Sequence, residues 1–274
     1  MTDLPALPNV VSRVLEEAEK PDASAAAIEK MIAADQALTS KVLRVVNSAY
    51  YGLSGQVTSL GQAIVILGLP QIRNLVLSVS AMSALKPKTP KQQEILKLFW
   101  MHSLATGSCS GLIAKARKFS SSDTETLFVA SLLHDVGRLF LFCTFPQTYE
   151  QVLTFATEKG VVVEKAEIQL LGVDHGGIGA KIGRQWHLPE AIVSLIDDHE
   201  GPFESTASPV KFALHYADQV TKYLYFPNSP QAPTECDANA LAWLNLSDEE
   251  NTWLMDETRK RLEETSSLFG LLAA

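Results

Sequence analysis

In "FVASLLHDVGRLFLF", which runs from Phe128 to Phe142, His134 and Asp135 stand side by side in an otherwise apolar stretch. Burying such groups without partners costs several kcal/mol. Three partnerships could offset that cost: a hydrogen-bond network, an ion pair or a metal ion. Similar polar residues occur elsewhere in apolar settings. His102 lies in "FWMHSLATG", His175 in "GVDHGGIGAKIG", His199 in "IVSLIDDHE" and Asp218 in "FALHYADQV". Taken singly, each has a plain reading. A lone His on an apolar helix face is more often a satisfied core residue, and His199, beside Asp197, Asp198 and Glu200, reads as a solvated helix end. Taken together, the six fall on separate predicted helices, apart from the 134/135 pair. Imidazole and carboxylate ligands of this kind suit Fe, Mn, Zn, Ni or Co, and helical bundles build such sites from inward side chains. His134 and Asp135 are expected on one helix, pointing about 100° apart and converging over its edge. A buried His–Asp hydrogen bond is the competing reading. His215, one turn before Asp218, is a candidate supporting residue. His187, just before Pro189, reads as structural.

The elements that must position these residues are helical. "NVVSRVLEEA" places Val10, Val11 and Val14 on one face. Asp22 or Ser24 can cap the next helix, and Asp35 the one after it. Ser59 and Gln62 have capping-box spacing. Gly68 suits a helix C-terminus, and Pro70 the first turn of the following helix. Asp123 is the expected cap of the segment carrying His134, and Ser247 and Glu250 form a second capping box. "GVVVE" (160–164) is the one β-like run. The pattern predicts an all-α chain with helices around a shared core. Its expected divisions are an N-terminal lobe over 1–86, a second lobe over 87–225, and a loop with a helical extension over 226–274. Trp100 and Trp186 are expected in the core. Trp243, Trp253 and Leu254 are expected to pack the extension or to form a contact surface.

The 274 residues suffice for a sizeable core. The net charge of -8 argues against broad binding to nucleic acid. Cys109, Cys143 and Cys236 are odd in number and contain no CxxC pair, which disfavours a disulfide framework or a thiolate zinc site and suits a reducing cytoplasm. The N-terminus lacks the basic and apolar regions of a signal peptide. No uncharged apolar run reaches the ~18 residues of a membrane helix, so no membrane partner is expected.

The order His102, His134-Asp135, His175, His199, Asp218 resembles the HD superfamily of metal-dependent phosphohydrolases. Together with "KVLRVVNSAYYGLSGQVTSLGQAIVILGLPQIRNLVLS", it resembles more narrowly the HDOD proteins, bacterial signalling output modules related to that superfamily. The likeness covers about Leu4 to Leu224 and implies an HD-type helical bundle with an additional N-terminal lobe. By the resemblance, a first divalent metal would be held by His102, His134, Asp135 and Asp218, with His175 and His199 at the position of a second, giving one or two ions. Active relatives carry a Lys three residues after the HD Asp; here it is Arg138, which binds phosphate but cannot shed its proton. Asp198 stands where the HD-GYP branch has one of two paired histidines, and no Gly-Tyr-Pro follows, so cyclic di-GMP is discounted as substrate.

Two functions follow from the resemblance. One is a regulatory module that presents a groove to a signalling protein or a nucleotide-like ligand. The other is a metal-dependent phosphohydrolase using His134, Asp135 and Arg138. In that case Lys181 and Arg184, one or two turns past His175, are candidate phosphate contacts; surface solvation is their plain reading.

Overall fold

A computed structural model describes residues 9–18, 20, 22–47, 51, 53, 55–85, 87–225 and 236–269. The first eight residues and the whole 226–235 loop segment thus lie outside the described residues. The architecture is all-α, and no strand occurs among the described residues. The chain divides into two compact units, Met1–Leu85 with Glu263–Ala274, and Lys86–Leu262.

The first unit holds α1 (Asn9–Ala18), α2 (Ala25–Ala33), α3 (Gln36–Val46), α4 (Leu60–Leu67) and α5 (Leu69–Ala84). Caps determine where these helices start. Ser24 accepts from the Ala27 amide, Asp35 from Leu38 and Ser59 from Gln62, each satisfying an orphan N–H of a first turn. Gly68, at φ 84, ends α4 in a conformation that L residues avoid, and Pro70 follows in the first turn of α5. Asn47 closes the intervening loop. Its amide nitrogen donates to the carbonyls of Leu43 and Val57 at 2.7 and 2.8 Å, and its oxygen accepts from the Val57 amide at 2.8 Å. Val11, Val14, Ile28, Ile32, Val42, Val46, Ile72 and Leu75 are buried in this unit.

The second unit holds α6 (Pro90–Ala116), α7 (Ser121–Leu133), α8 (Val136–Thr144), α9 (Pro146–Lys159), α10 (Val163–Leu171), α11 (His175–Gln185), α12 (Glu190–Asp197), α13 (Pro209–Tyr225), α14 (Ala238–Leu244) and most of α15 (Asp248–Phe269). α6 packs against α7 and α13, and α11 against α8 and α12. The middle of α6 is unusually small and polar: Ser103, Ala105, Thr106, Gly107, Ser108, Cys109 and Ser110 are all buried. Thr106 Oγ1 meets Thr221 Oγ1 at 2.8 Å, and Ser110 Oγ meets Ser131 Oγ at 3.0 Å. These small residues let three helices approach closely, and the hydroxyls of Thr106, Ser110, Ser131 and Thr221 stay paired across the contacts. Trp100 and Trp186 are buried, as expected. Trp243 packs on Phe212, Leu254 is buried and Trp253 is exposed.

Three local expectations need correction. The expected cap Asp123 sits within the first turn of α7; Ser120 is the cap, accepting from the Asp123 amide at 3.0 Å and donating to its carboxylate at 2.8 Å. "GVVVE" is no strand: Gly160 ends α9 in the left-handed region, and Val163 opens α10 with its side chain buried. The segment through His134 is two helices rather than one, broken at His134-Asp135. Residues 121–144 are apolar and long enough to cross a membrane by composition, but their most apolar stretch is almost wholly buried inside the protein.

Two predictions follow from this packing. A Cβ on Gly137, in α8, would lie 2.0 Å from the His175 carbonyl oxygen and 2.6 Å from the Gly179 amide. Gly137→Ala therefore forces α8 from α11 and should cost about 1–3 kcal/mol, read as a lowered urea midpoint. Asp237, the cap of α14, accepts from the amides of Phe203, Asn239 and Ala240. Desolvation opposes its ionisation, but these donors hold its pKa below the ordinary value. Stability from a depressed carboxyl pKa is present above the unfolded value near ~4 and is lost as pH falls through the folded one. Asp237→Ala should cost ~1 kcal/mol at neutral pH, and the gap to wild type should close on acidification below that range.

Candidate metal centre

The break at His134-Asp135 is the local feature on which the centre turns. His134 closes α7 and Asp135 precedes α8. At the junction both side chains turn to the same side, which neighbouring residues on one continuous helix do less readily. The N-terminal end of α8 also favours a carboxylate through its partial positive charge. His102 comes from α6, His175 is the first residue of α11, His199 follows α12 and Asp218 lies in α13. All six side chains are buried, none more than 3% exposed.

The structure brings the six together. His102 Nε2 lies 3.1 Å from His134 Nε2, 3.0 Å from Asp218 Oδ1 and 3.7 Å from Asp135 Oδ2. His134 Nε2 lies 3.5 Å from Asp135 Oδ2 and 3.4 Å from Asp218 Oδ1. His175 Nε2 is 3.3 Å from both His199 Nε2 and Asp135 Oδ1, and His199 Nε2 is 3.9 Å from that oxygen. Asp135 therefore faces His102 and His134 with one oxygen, and His175 and His199 with the other.

Hydrogen bonds at the opposite ring nitrogens fix the direction of the lone pairs. His134 Nδ1 donates to the Ser131 carbonyl and His199 Nδ1 to the Ile196 carbonyl, both at 2.8 Å. His175 Nδ1 donates to Glu167 Oε2 at 2.7 Å, and that carboxylate also takes the His175 amide at 2.8 Å and the Tyr149 hydroxyl, through Oε1, at 2.8 Å. A neutral imidazole that donates through Nδ1 carries its lone pair on Nε2. The Nε2 atoms of all three rings point into one volume beside two carboxylates. Asp135 Oδ1 and both oxygens of Asp218 are buried without a hydrogen bond of good geometry.

Lone pairs and anions crowded in this way require a cation, either protons or a metal. For metal–ligand bonds of ~2.1 Å, ligand atoms stand about 3.0 Å apart in an octahedral arrangement and about 3.4 Å apart in a tetrahedral one. The 3.0–3.7 Å separations within the His102, His134, Asp135 and Asp218 set bracket those values. The residues present fit a divalent ion, and the triads His102-His134-Asp135, His134-His199-Asp218 and Asp135-His175-His199 could each hold one.

The electrostatics carry the same demand. Burial opposes ionisation of Asp218, yet the Lys222 ammonium and the close approach of His102 and His134 hold its pKa well below the ordinary value. Asp135 is likewise lowered against burial, by Arg138 first and then the histidines. Burial pushes the His199 pKa down to about 3. It also opposes charging of His175, as does Arg138, but Glu167 and Asp135 outweigh both and raise it to about 9.

Other residues at the centre escaped the sequence reading. Lys222, one turn after Asp218, is buried with Nζ 2.7 Å from Asp218 Oδ2 and bonded to Glu200 Oε1. Glu200 Oε1 stands 3.7 Å from His175 Nε2 and 3.6 Å from His199 Nε2. Asp198, the residue singled out in that stretch, is instead exposed and paired with Lys211. Arg138 is buried: Nη2 donates to Glu164 Oε1 at 2.9 Å and lies 3.1 Å from His175 Nε2, while Nη1 is 3.5 Å from Asp135 Oδ2. Its guanidinium is thus engaged by side chains of the protein. Lys181 is exposed, and Arg184 pairs at the surface with Glu190 and Asp197; neither is among the buried groups of the cluster. His215 supports the centre from behind, its Nδ1 donating to the His199 carbonyl at 2.8 Å and its Nε2 accepting from the Asp237 amide at 3.1 Å. His187 is exposed, at φ 54. The i+4 spacing of Lys222 from Asp218 was the one available signal for that pair. Glu167 had none, because its contact with His175 depends on how α10 meets α11.

A family model, the HDOD domain, matches residues 4–202 of the chain. A protein of Treponema pallidum (strain Nichols), described only as uncharacterized, is 25% identical over 236 residues, 83% of this chain and 45% of that protein. The chain thus spans less than half the length of that relative. An HDOD domain protein of unknown function from Geobacter sulfurreducens superposes with a TM-score of 0.73 at 22% identity, over 98% of this chain and 93% of that one. A candidate metal-dependent phosphohydrolase from Shewanella amazonensis SB2B gives a TM-score of 0.70 at 20% identity, over 97% and 92%. A candidate signal transduction protein from Marinobacter aquaeolei VT8 gives 0.71 at 21%, over 99% and 60%. At these identities the structural likeness speaks to the fold.

Removing one partner of a buried ion pair strands the other charge. Lys222→Met strands Asp218 and Glu200, and in chelator should lower unfolding stability by about 3–5 kcal/mol, measured by urea denaturation.

Proposed function

The chain belongs to the HDOD family, and from that premise we propose that it is a signal-transduction output module built around a buried divalent-metal centre. The observation that carries this reading is the convergence of imidazole lone pairs and carboxylates in a water-poor core, with ligand separations that match a bound ion. His102, His134, Asp135 and Asp218 hold the ion. His175 and His199 lie within reach of a second, across Asp135. Fe, Mn, Zn, Ni and Co all suit this donor set. Glu167 and the Ser131 and Ile196 carbonyls orient the rings, as outer partners of metal-bound histidines do.

A regulatory role is favoured by what surrounds the centre. Arg138 and Lys222 are the buried cations beside it, and both are tied to carboxylates rather than presented to a phosphate. The metal then acts as an internal staple for α6, α7, α8 and α13, holding a surface that a signalling protein or a nucleotide-like ligand recognises in trans. Cys109, Cys143 and Cys236 are free, which suits the reducing cytoplasm we assign to it.

The second reading is a phosphohydrolase. The complete His/Asp ligand set favours it, since a divalent ion there would supply Lewis acidity toward a phosphoester. Arg138 would then have to exchange Glu164 for substrate phosphate.

Metal analysis after anaerobic purification tests the common premise. Wild type should carry a divalent metal, and His134→Ala and Asp135→Ala should lose it. Adding the metal at about 100 times its dissociation constant should stabilise stripped wild type by ~2.7 kcal/mol and leave both variants unmoved. A panel of phosphoesters and cyclic nucleotides, assayed with Mn or Fe, separates the two functions. Loaded protein without turnover supports the module; turnover abolished in both variants supports the enzyme.

A further inference from the structure

Two ligand sets meet at Asp135, and they differ in what else is bound to them. In the first, His102 Nε2, His134 Nε2, Asp135 Oδ2 and Asp218 Oδ1 face one another. Lys222 approaches the other oxygen of Asp218, and Arg138 reaches this set only through a 3.5 Å contact with Asp135 Oδ2. The second set is His175 Nε2, His199 Nε2, Asp135 Oδ1 and Glu200 Oε1. Here Lys222 Nζ is bonded directly to Glu200 Oε1. Arg138 Nη2 lies 3.1 Å from His175 Nε2 and 3.5 Å from Glu200 Oε1. Two buried monocations are thus fixed on the second set by the chain itself. A divalent ion bound to His175 and Glu200 would stand close to a guanidinium and an ammonium that cannot move into water, and like charges at such range inside a protein repel strongly.

We infer that the centre takes a single divalent ion, in the His102, His134, Asp135 and Asp218 set, and that Arg138 and Lys222 supply the positive charge a second ion would bring. The inference rests on the metal-centre reading above and adds its stoichiometry. Arg138 also stands among Glu164, His175 and Glu200, whose ligand atoms lie within 4.8 Å of one another. Replacing it with an uncharged side chain of similar length frees these three groups for a second ion. Arg138 and Lys222 are therefore charge-positioning residues that set how many ions bind.

The test strips the full-length protein with chelator, reconstitutes it anaerobically with excess Mn(II), desalts it and measures metal per chain. Wild type should hold one ion, and Arg138→Met should rise toward two. The electron paramagnetic resonance spectrum of the wild type should show the hyperfine sextet of an isolated Mn(II). Two ions per wild-type chain, or the spectrum of an exchange-coupled pair, overturns the inference and leaves the metal-centre reading standing. No metal in the wild type overturns both. Because the wild-type content and spectrum decide by themselves, the test survives if Arg138→Met fails to fold.

Discussion

Asp135, Asp218, Glu164, Glu167 and Glu200 all reach one partly or wholly buried region of a helical bundle, where, among the described residues, the Arg and Lys side chains paired with them are Arg138 and Lys222. A low-dielectric interior does not tolerate that surplus of negative charge unless something neutralises it. The arrangement around it follows from that constraint. The imidazoles of His134, His175 and His199 are each held by a donor bond at Nδ1 so that Nε2 faces the carboxylates. Tyr149 and the His175 backbone complete Glu167, and His215 anchors the carbonyl of His199. A divalent ion is one neutralising charge that this donor set could hold.

The helices are arranged so that their ends, more than their faces, supply the side chains of the cluster. α7 stops at Leu133, α8 begins at Val136, α11 begins at His175 and α12 stops just short of His199. Ends carry backbone groups without partners and side chains free of helical periodicity, so they can gather functional groups of unlike direction. Close packing makes this possible. At Gly137, α8 meets α11 with no room for a side chain, and hydroxyl pairs draw α6 against α7 and α13. A displacement of either contact would separate the clustered side chains.

A buried cluster with its cations already paired is poorly matched to frequent exchange with solvent. That is why the proposed role for the metal is to hold a recognition surface, with hydrolysis as the reading that needs an additional movement at Arg138 and Glu164. The two Glu side chains are the more exposed members of the cluster, each at 18%.

What the sequence determined alone was the helical class, most of the caps, the resemblance to the HDOD pattern and the six polar residues that needed explaining. Those signals are local: a Ser or Asp before an apolar run, a Gly or Pro at a boundary, an ionisable residue among aliphatic ones. Tertiary structure alone decided the rest. The break at His134-Asp135 carries no Gly or Pro at those two residues, and Gly137, just beyond it in α8, marks the close approach to α11. The buried middle of α6 reads as polar in sequence, since small hydroxylated residues give no apolar stripe. Lys222, Glu167 and Glu200 look like ordinary surface charges until the chain folds, because the partner that justifies burying a charge can lie far away along the chain and only a few ångströms away in space.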